Sequence, residues 1–182
     1  MALERYPMGI DLDAFKTAYE KWVEESLPDY QRGNFKEIIK KYPLIVSDGV
    51  PWTPYMGRPS EQTFALVTTG GLYLKNNQPP FDADSIHGDT SFREIPKTVR
   101  QEELGIAHAH YDHSVAEQDI NTVFPLHRLI ELEKEGIVGK VADTHYSFSY
   151  VKDVVTLVTK TVPRFLSRIK AKEVDVLLLV PV

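Results

Sequence analysis

Thr63-Phe64-Ala65-Leu66-Val67-Thr68-Thr69-Gly70-Gly71 is the stretch that decides the fold. It is a near-continuous apolar run of strand length, flanked by polar residues and stopped by two glycines. Such a run fits a strand buried on both faces, and strands of that kind belong to parallel sheets. Val174 to Val180, near the C-terminus, is a second run of the same type. Between the two, Pro125 to Glu135 reads as a helix. Leu126, Leu129, Ile130 and Leu132 form its apolar stripe, Pro125 suits the first turn and Gly136 closes it. Ile137 to Val141 reads as a short strand. Val151 to Lys172 reads as a long helix with Val154, Val155, Val158, Val162, Phe165, Leu166 and Ile169 on one side, kinked or divided by Pro163. Asn76 to His108 is polar, holds Pro79-Pro80 and shows little periodicity, so long loops with short ordered pieces are expected there. Strands alternating with helices give an α/β class, a mostly parallel, Rossmann-like sheet with flanking helices.

Ahead of this domain lies a helical arm. Leu12, Phe15, Tyr19, Trp22 and Val23 recur at helical spacing from Asp11 to Leu27, and Pro28 is expected to stop the run. Asn34 to Lys41 reads as a second short helix with Asn34 as its N-cap. Six prolines and glycines then break up residues 43–60. The expected organisation is an arm over 1–42, a connector over 43–60 and an α/β domain over 61–182.

The bulk numbers exclude several function classes. With 21 basic and 26 acidic residues the net charge is −5, and no basic face points to nucleic acid. No apolar run approaches the ~20 residues of a membrane span, and the first ten residues lack a signal-peptide pattern, so a cytoplasmic location is expected. The chain has no cysteine, which removes disulfides, thiolate metal sites and thiol nucleophiles.

Chemistry concentrates in His108-Ala109-His110-Tyr111-Asp112-His113, three imidazoles and a carboxylate within six residues. Imidazole and carboxylate are ligands for zinc or iron. His108, His110, Asp112 and His113 also have the spacing of the first metal loop of metallo-β-lactamase-like hydrolases. Against that reading, the charged stretch Thr98 to Gly105 does not look like the buried strand that should deliver such a loop, and only His127 and His145 follow. Thr68-Thr69-Gly70-Gly71 sits where α/β folds bind ligands, but its glycine spacing is not that of a nucleotide loop, and a tight turn needing glycine torsions is the reading its residues favour. In Ser91-Phe92-Arg93-Glu94 the guanidinium could receive a substrate carboxylate, or form a surface pair.

Several blocks together resemble the selenoprotein B family of glycine, betaine, sarcosine and D-proline reductases. Ala65 to Gly71 is similar to that family's first core strand and turn. Gly88-Asp89-Thr90-Ser91-Phe92-Arg93-Glu94-Ile95-Pro96 and Trp52-Thr53-Pro54 resemble the D-proline reductase branch. His108, Tyr111 and Asp112 fall on its His-x-x-Tyr-Asp element. Asp119 to Pro125, Glu131-Leu132 and Glu135-Gly136 match the next block, and Asp175 to Val180 matches the strand leading to the catalytic loop. The likeness covers about residues 51–182. This chain departs from the family at Ala109, His110, His113 and His127.

The resemblance implies a reductase subunit that breaks the C–N bond of an amino-acid-like substrate with a selenocysteine expected just after Val182. Reading of UGA as stop would explain both the missing cysteine and the chain end. A pyruvoyl-bearing partner subunit is implied as well. By the same resemblance, His108, Tyr111 and Asp112 are expected to be catalytic, and Thr68, Thr69, Gly70, Gly71, Ser91 and Arg93 to bind substrate. Two other readings stay open: a zinc- or iron-dependent hydrolase or binding module, and a non-catalytic assembly subunit contacting others through the arm, with self-association in either case open.

Overall fold

The computed structural model describes residues 11–44 and 54–182. They divide into two compact units, Met1–Tyr55 and Met56–Val182. The Trp52-Thr53 part of the family-like lead-in and half of the connector, residues 45–53, lie outside the described residues.

In the first unit, α1 (Leu12–Gln31) is capped by Asp11, whose side chain accepts the Ala14 N–H. Pro28 does not stop this helix, which runs one turn further. A proline this close to the C-terminus forfeits one backbone bond, and Gly33, at φ +71°, ends the turn instead. α2 (Phe35–Lys40) follows; Asn34 takes the N-cap position, but its side chain makes no capping bond. The Trp22 indole N–H donates to the Ile38 carbonyl at 3.0 Å, and Tyr42 stands edge-on to Trp22, so the two helices close on an aromatic cluster.

The second unit is built around β1 (Thr63–Thr68), where Ala65, Leu66 and Thr68 are wholly buried. β7 (Val176–Val180) runs parallel along one edge of β1. Along the other edge lie β5 (Lys140–Val141) and β6 (Thr144–Ser147) in succession, both parallel. β3 (Arg93–Pro96) joins the outside of β6 antiparallel. β2 (Leu72–Leu74) and β4 (Leu104–Ile106) form a separate antiparallel ribbon. The sheet is therefore mostly parallel, as the apolar run of β1 predicts. β4, from the charged stretch, does deliver the histidine loop, though as the ribbon strand rather than a sheet strand.

Helices cover both faces. α3 (Ser114–Gln118) and α4 (Leu126–Lys134) pack Ala116, Leu126 and Leu129 with Phe64, Leu66 and Val141. On the other face α6 (Val162–Ala171) sets Phe165 and Ile169 against Val67 and Tyr146. The helix expected over 151–172 is divided: α5 (Val154–Thr156), then a π-helical turn over Leu157–Thr161, then α6 with Pro163 in its first turn. The wider turn and the position of Pro163 remove any need for its missing N–H. No described helix is long and apolar enough to cross a membrane.

Candidate functional site

The C-terminal ends of β1, β6 and β7 meet at one place, where a parallel sheet presents its loops. The turn after β1 is held from all sides by its own backbone. The Thr69 N–H donates to the Val180 carbonyl at 3.2 Å, and the Gly71 N–H to that of Phe148 at 2.8 Å. The Gly70 N–H donates to Thr68 Oγ1 at 3.0 Å. With these amides committed and Thr68 buried, the turn works as a splice between strands, not as an open cradle for an anion. Gly71, at φ +69°, allows the β4 exit to come close: the Ala107 N–H donates to the Gly71 carbonyl at 2.8 Å.

That approach brings in the histidine loop. The Tyr111 hydroxyl donates to the Gly70 carbonyl at 3.0 Å, tying residues 108–113 to the turn. Burial, helped by Glu117, pushes the Tyr111 hydroxyl up to about 12, so it stays protonated. His108 is buried, and its Nδ1 accepts the His110 N–H at 3.2 Å, which leaves the proton of the neutral ring on Nε2. Burial, then the neighbouring His110 and His113, lower its pKa and favour that neutral form. His113 Nε2 donates to the His108 carbonyl at 2.6 Å. The rings pack edge-on in a chain: Tyr111 lies 4.9 Å from His108 and 4.5 Å from His113, and His110 packs at a tilt on Tyr150 at 3.9 Å.

Of the residues singled out in the sequence, Thr68 to Gly71, His108 and Tyr111 are brought together. Asp112 is exposed on the same loop and accepts the Ser114 N–H at 2.9 Å, a bond that holds its carboxyl below the usual carboxylate value. Ser91 and Arg93 sit on the far side of β6 from β1. Arg93 Nε and Nη2 donate to the carbonyls of Pro79 and Pro80, and Nη1 donates to Ser91 Oγ at 2.7 Å. Asp89 stands 3.8 Å away and the Phe81 ring 4.1 Å beneath. With its donors so engaged, the guanidinium clamps the 79–93 loop, and a substrate carboxylate would have to displace those bonds. For metal, His108, His110, Asp112 and His113 turn to backbone and ring partners. Among the described residues no group of three or more His, Asp or Glu side chains is placed to hold an ion.

The end of β6 and the segment after it supply parts that no sequence signal marked. Ser147 Oγ accepts the Leu72 N–H at 2.8 Å and Ser149 Oγ donates to the Ala107 carbonyl at 3.0 Å, pinning the β2–β4 ribbon to the main sheet beneath His108. On the remaining side, the Val182 N–H donates to Thr69 Oγ1 at 2.9 Å, so the exit of β7 lies against the turn.

Comparison with known proteins gives the family. Residues 31–181 match the family model of glycine/sarcosine/betaine reductase selenoprotein B (GRDB). The chain is 30% identical to D-proline reductase subunit gamma of Acetoanaerobium sticklandii over 129 residues, 70% of this chain and 52% of that protein. It is 35% identical to glycine reductase complex component B subunit gamma of Carboxydothermus hydrogenoformans, over 58% of this chain and 24% of the relative. To betaine reductase complex component B subunit beta of Peptoclostridium acidaminophilum it is 28% identical, over 71% and 32%. The chain thus spans about half the length of the first of these relatives and a third or less of the other two. No solved structure matches it. Turn, His-x-x-Tyr-Asp loop and final strand all fall inside the matched region, and the chain belongs to the selenoprotein B family of the glycine, sarcosine and betaine reductases.

Proposed function

We propose that this chain forms part of a reductase subunit that cleaves the C–N bond of an amino-acid-like substrate, with a selenocysteine carried just beyond β7. The observation that supports this is the docking of the β7 exit on the β1 turn, through Thr69 N–H to Val180 O and Val182 N–H to Thr69 Oγ1. A nucleophile entering from β7 would emerge beside the turn that Tyr111 ties to His108. A selenol is anionic at neutral pH. The selenolate would attack the substrate carbon, and the C–N electron pair would leave with the amine, which takes up a proton. His108, the buried imidazole of the loop, is neutral at rest; it is the group proposed to take a proton from solvent and hand it to the leaving amine. A thiol then attacks selenium, forming a selenium–sulfur bond as the carbon fragment departs with a second proton. A pyruvoyl-bearing partner would hold the substrate for this step.

The test is direct. The codon after Val182 is expected to be UGA, with an open frame beyond it; UAA or UAG there overturns the proposal. The selenocysteine-containing product, mixed with its partner, is expected to reduce at least one of glycine, sarcosine, betaine or D-proline. The 182-residue chain alone is expected to show no turnover.

A further inference from the structure

β1 and its neighbour do not run in step. Thr63 pairs with Lys140, but Thr68 pairs with Ser147, so five steps along β1 face seven along β5 and β6. The two surplus residues are absorbed at the corner between Val141 and Thr144. Below the corner the ladder is regular: the Ala142 N–H donates to the Phe64 carbonyl at 2.8 Å. Above it, the Phe148 N–H donates to the Thr68 carbonyl at 2.8 Å. Between them the Leu66 N–H faces the slip. Its acceptor is not a backbone carbonyl but Nδ1 of His145, at 3.0 Å.

We propose that His145 is a positioning residue of the candidate site: its imidazole stands in for the missing carbonyl, registers β6 on β1 across the slip, and releases that register when it is protonated. The site it positions is the one read above, so the inference rests on that reading for its functional meaning. His145 is fully buried, as are its neighbours Tyr146 and Ser147. Nδ1 can accept only while unprotonated, so the ring carries its proton on Nε2, and that N–H has no hydrogen-bond partner among the described residues. Phe124 stands edge-on to the ring at 5.9 Å and offers no charge. The charged groups near it are Lys97, beyond β3, whose own N–H donates to the Asp143 carbonyl, and Asp143 at the corner. Glu133 of α4 neutralises Lys97 at 2.6 Å, and Lys140 pairs with Asp143 at 3.7 Å. Burial, then Lys97, lower the imidazole's pKa to about 4 against the opposing pull of Asp143, in keeping with a ring held neutral by its place in the ladder.

What hangs on the register is the segment that follows. Phe148 accepts the Gly71 N–H, Ser149 fixes Ala107, and Tyr150 packs against His110. A slip of β6 would withdraw all three from the turn and the histidine loop together.

The test needs no enzymatic activity, so its failure is separable from failure of the reductase reading. In wild-type protein labelled with 15N, a through-hydrogen-bond coupling is expected between the Leu66 amide and His145 Nδ1, with the proton on Nε2. His145→Asn, whose Oδ1 can occupy the same position, is expected to keep Leu66 protected from hydrogen exchange. His145→Phe is expected to speed that exchange about tenfold relative to Ala65, the loss of one net hydrogen bond, and to shift the resonances of Tyr150 and His110. An Nδ1-protonated ring in the wild-type protein overturns the proposal, even if no variant folds. So does equal Leu66 protection in the Phe variant.

Discussion

An added Cβ on Gly71 would stand 2.5 Å from the Ala107 carbonyl oxygen, and its φ of +69° is itself hostile to side chains. Gly71→Ala is therefore expected to destabilise the domain by more than about 2 kcal/mol, read as a lowered urea midpoint with unchanged slope. Tyr111 gives a second residue-scale prediction. Its buried hydroxyl, bonded to Gly70, is expected to ionise late, near pH 12, in an ultraviolet titration. Because this folded-state value is raised, the group's contribution to stability is whole below pH 10 and fades as pH rises from there toward 12. Tyr111→Phe should abolish that late step and cost about 1 kcal/mol. At this scale the sequence was only partly legible. His108 and Tyr111 announced themselves by chemistry and spacing. The engagement of Arg93 did not, because two of its acceptors, the carbonyls of Pro79 and Pro80, lie more than ten residues away and a carbonyl has no residue type to recognise.

Elements were legible where burial is apolar and hidden where it is not. β1 and β7 declared themselves as apolar runs, and α4 as a stripe. β6, Thr144-His145-Tyr146-Ser147, has no apolar run at all, yet three of its four residues are fully buried in the middle of the sheet. Its place is set by partners in β1 and β3, which no local pattern encodes. The burial of His145 has a thermodynamic signature. Its folded pKa, about 4, lies below the ordinary 6.5, so the unfolded chain binds the extra proton between those values. Stability is then full above pH 6.5 and declines by about 3 kcal/mol as pH falls to 4. Chemical denaturation across that range should show the slope, and His145→Asn should remove that part of it. Glu133 anchors α4 to the end of β5 by accepting both Lys97 Nζ and the Val141 N–H. Although burial works against it, those bonds and the charges of Lys97 and Lys140 hold its carboxyl below the ordinary value. Lys97→Met is expected to cost about 1–3 kcal/mol at neutral pH. The difference from wild type should narrow as pH drops through the carboxylate range, because protonation of Glu133 dissolves the pair in the wild type too.

For the molecule as a whole, the exposed side of the sheet is β7. One of its edges pairs with β1; along the strand Leu178 is 38% and Leu179 70% exposed, with no charge between Asp175 and Pro181 to guard it. Leu179→Lys is expected to leave the thermal midpoint within a degree or two and to lower light scattering at high protein concentration. Unchanged scattering would show that this edge does not drive self-association. The mismatch between five steps of β1 and seven of its neighbour has a consequence for how such a domain can change length. Side chains alternate across a sheet, so an insertion of two residues leaves every inward residue facing inward, while an insertion of one turns the strand inside out. The corner at Ala142-Asp143 is thus a place where chain length can vary in pairs. Removing both residues should preserve the facing of β6 at the cost of the imidazole bridge, whereas removing either one alone should exchange His145 and Tyr146 between the two cores and prevent folding.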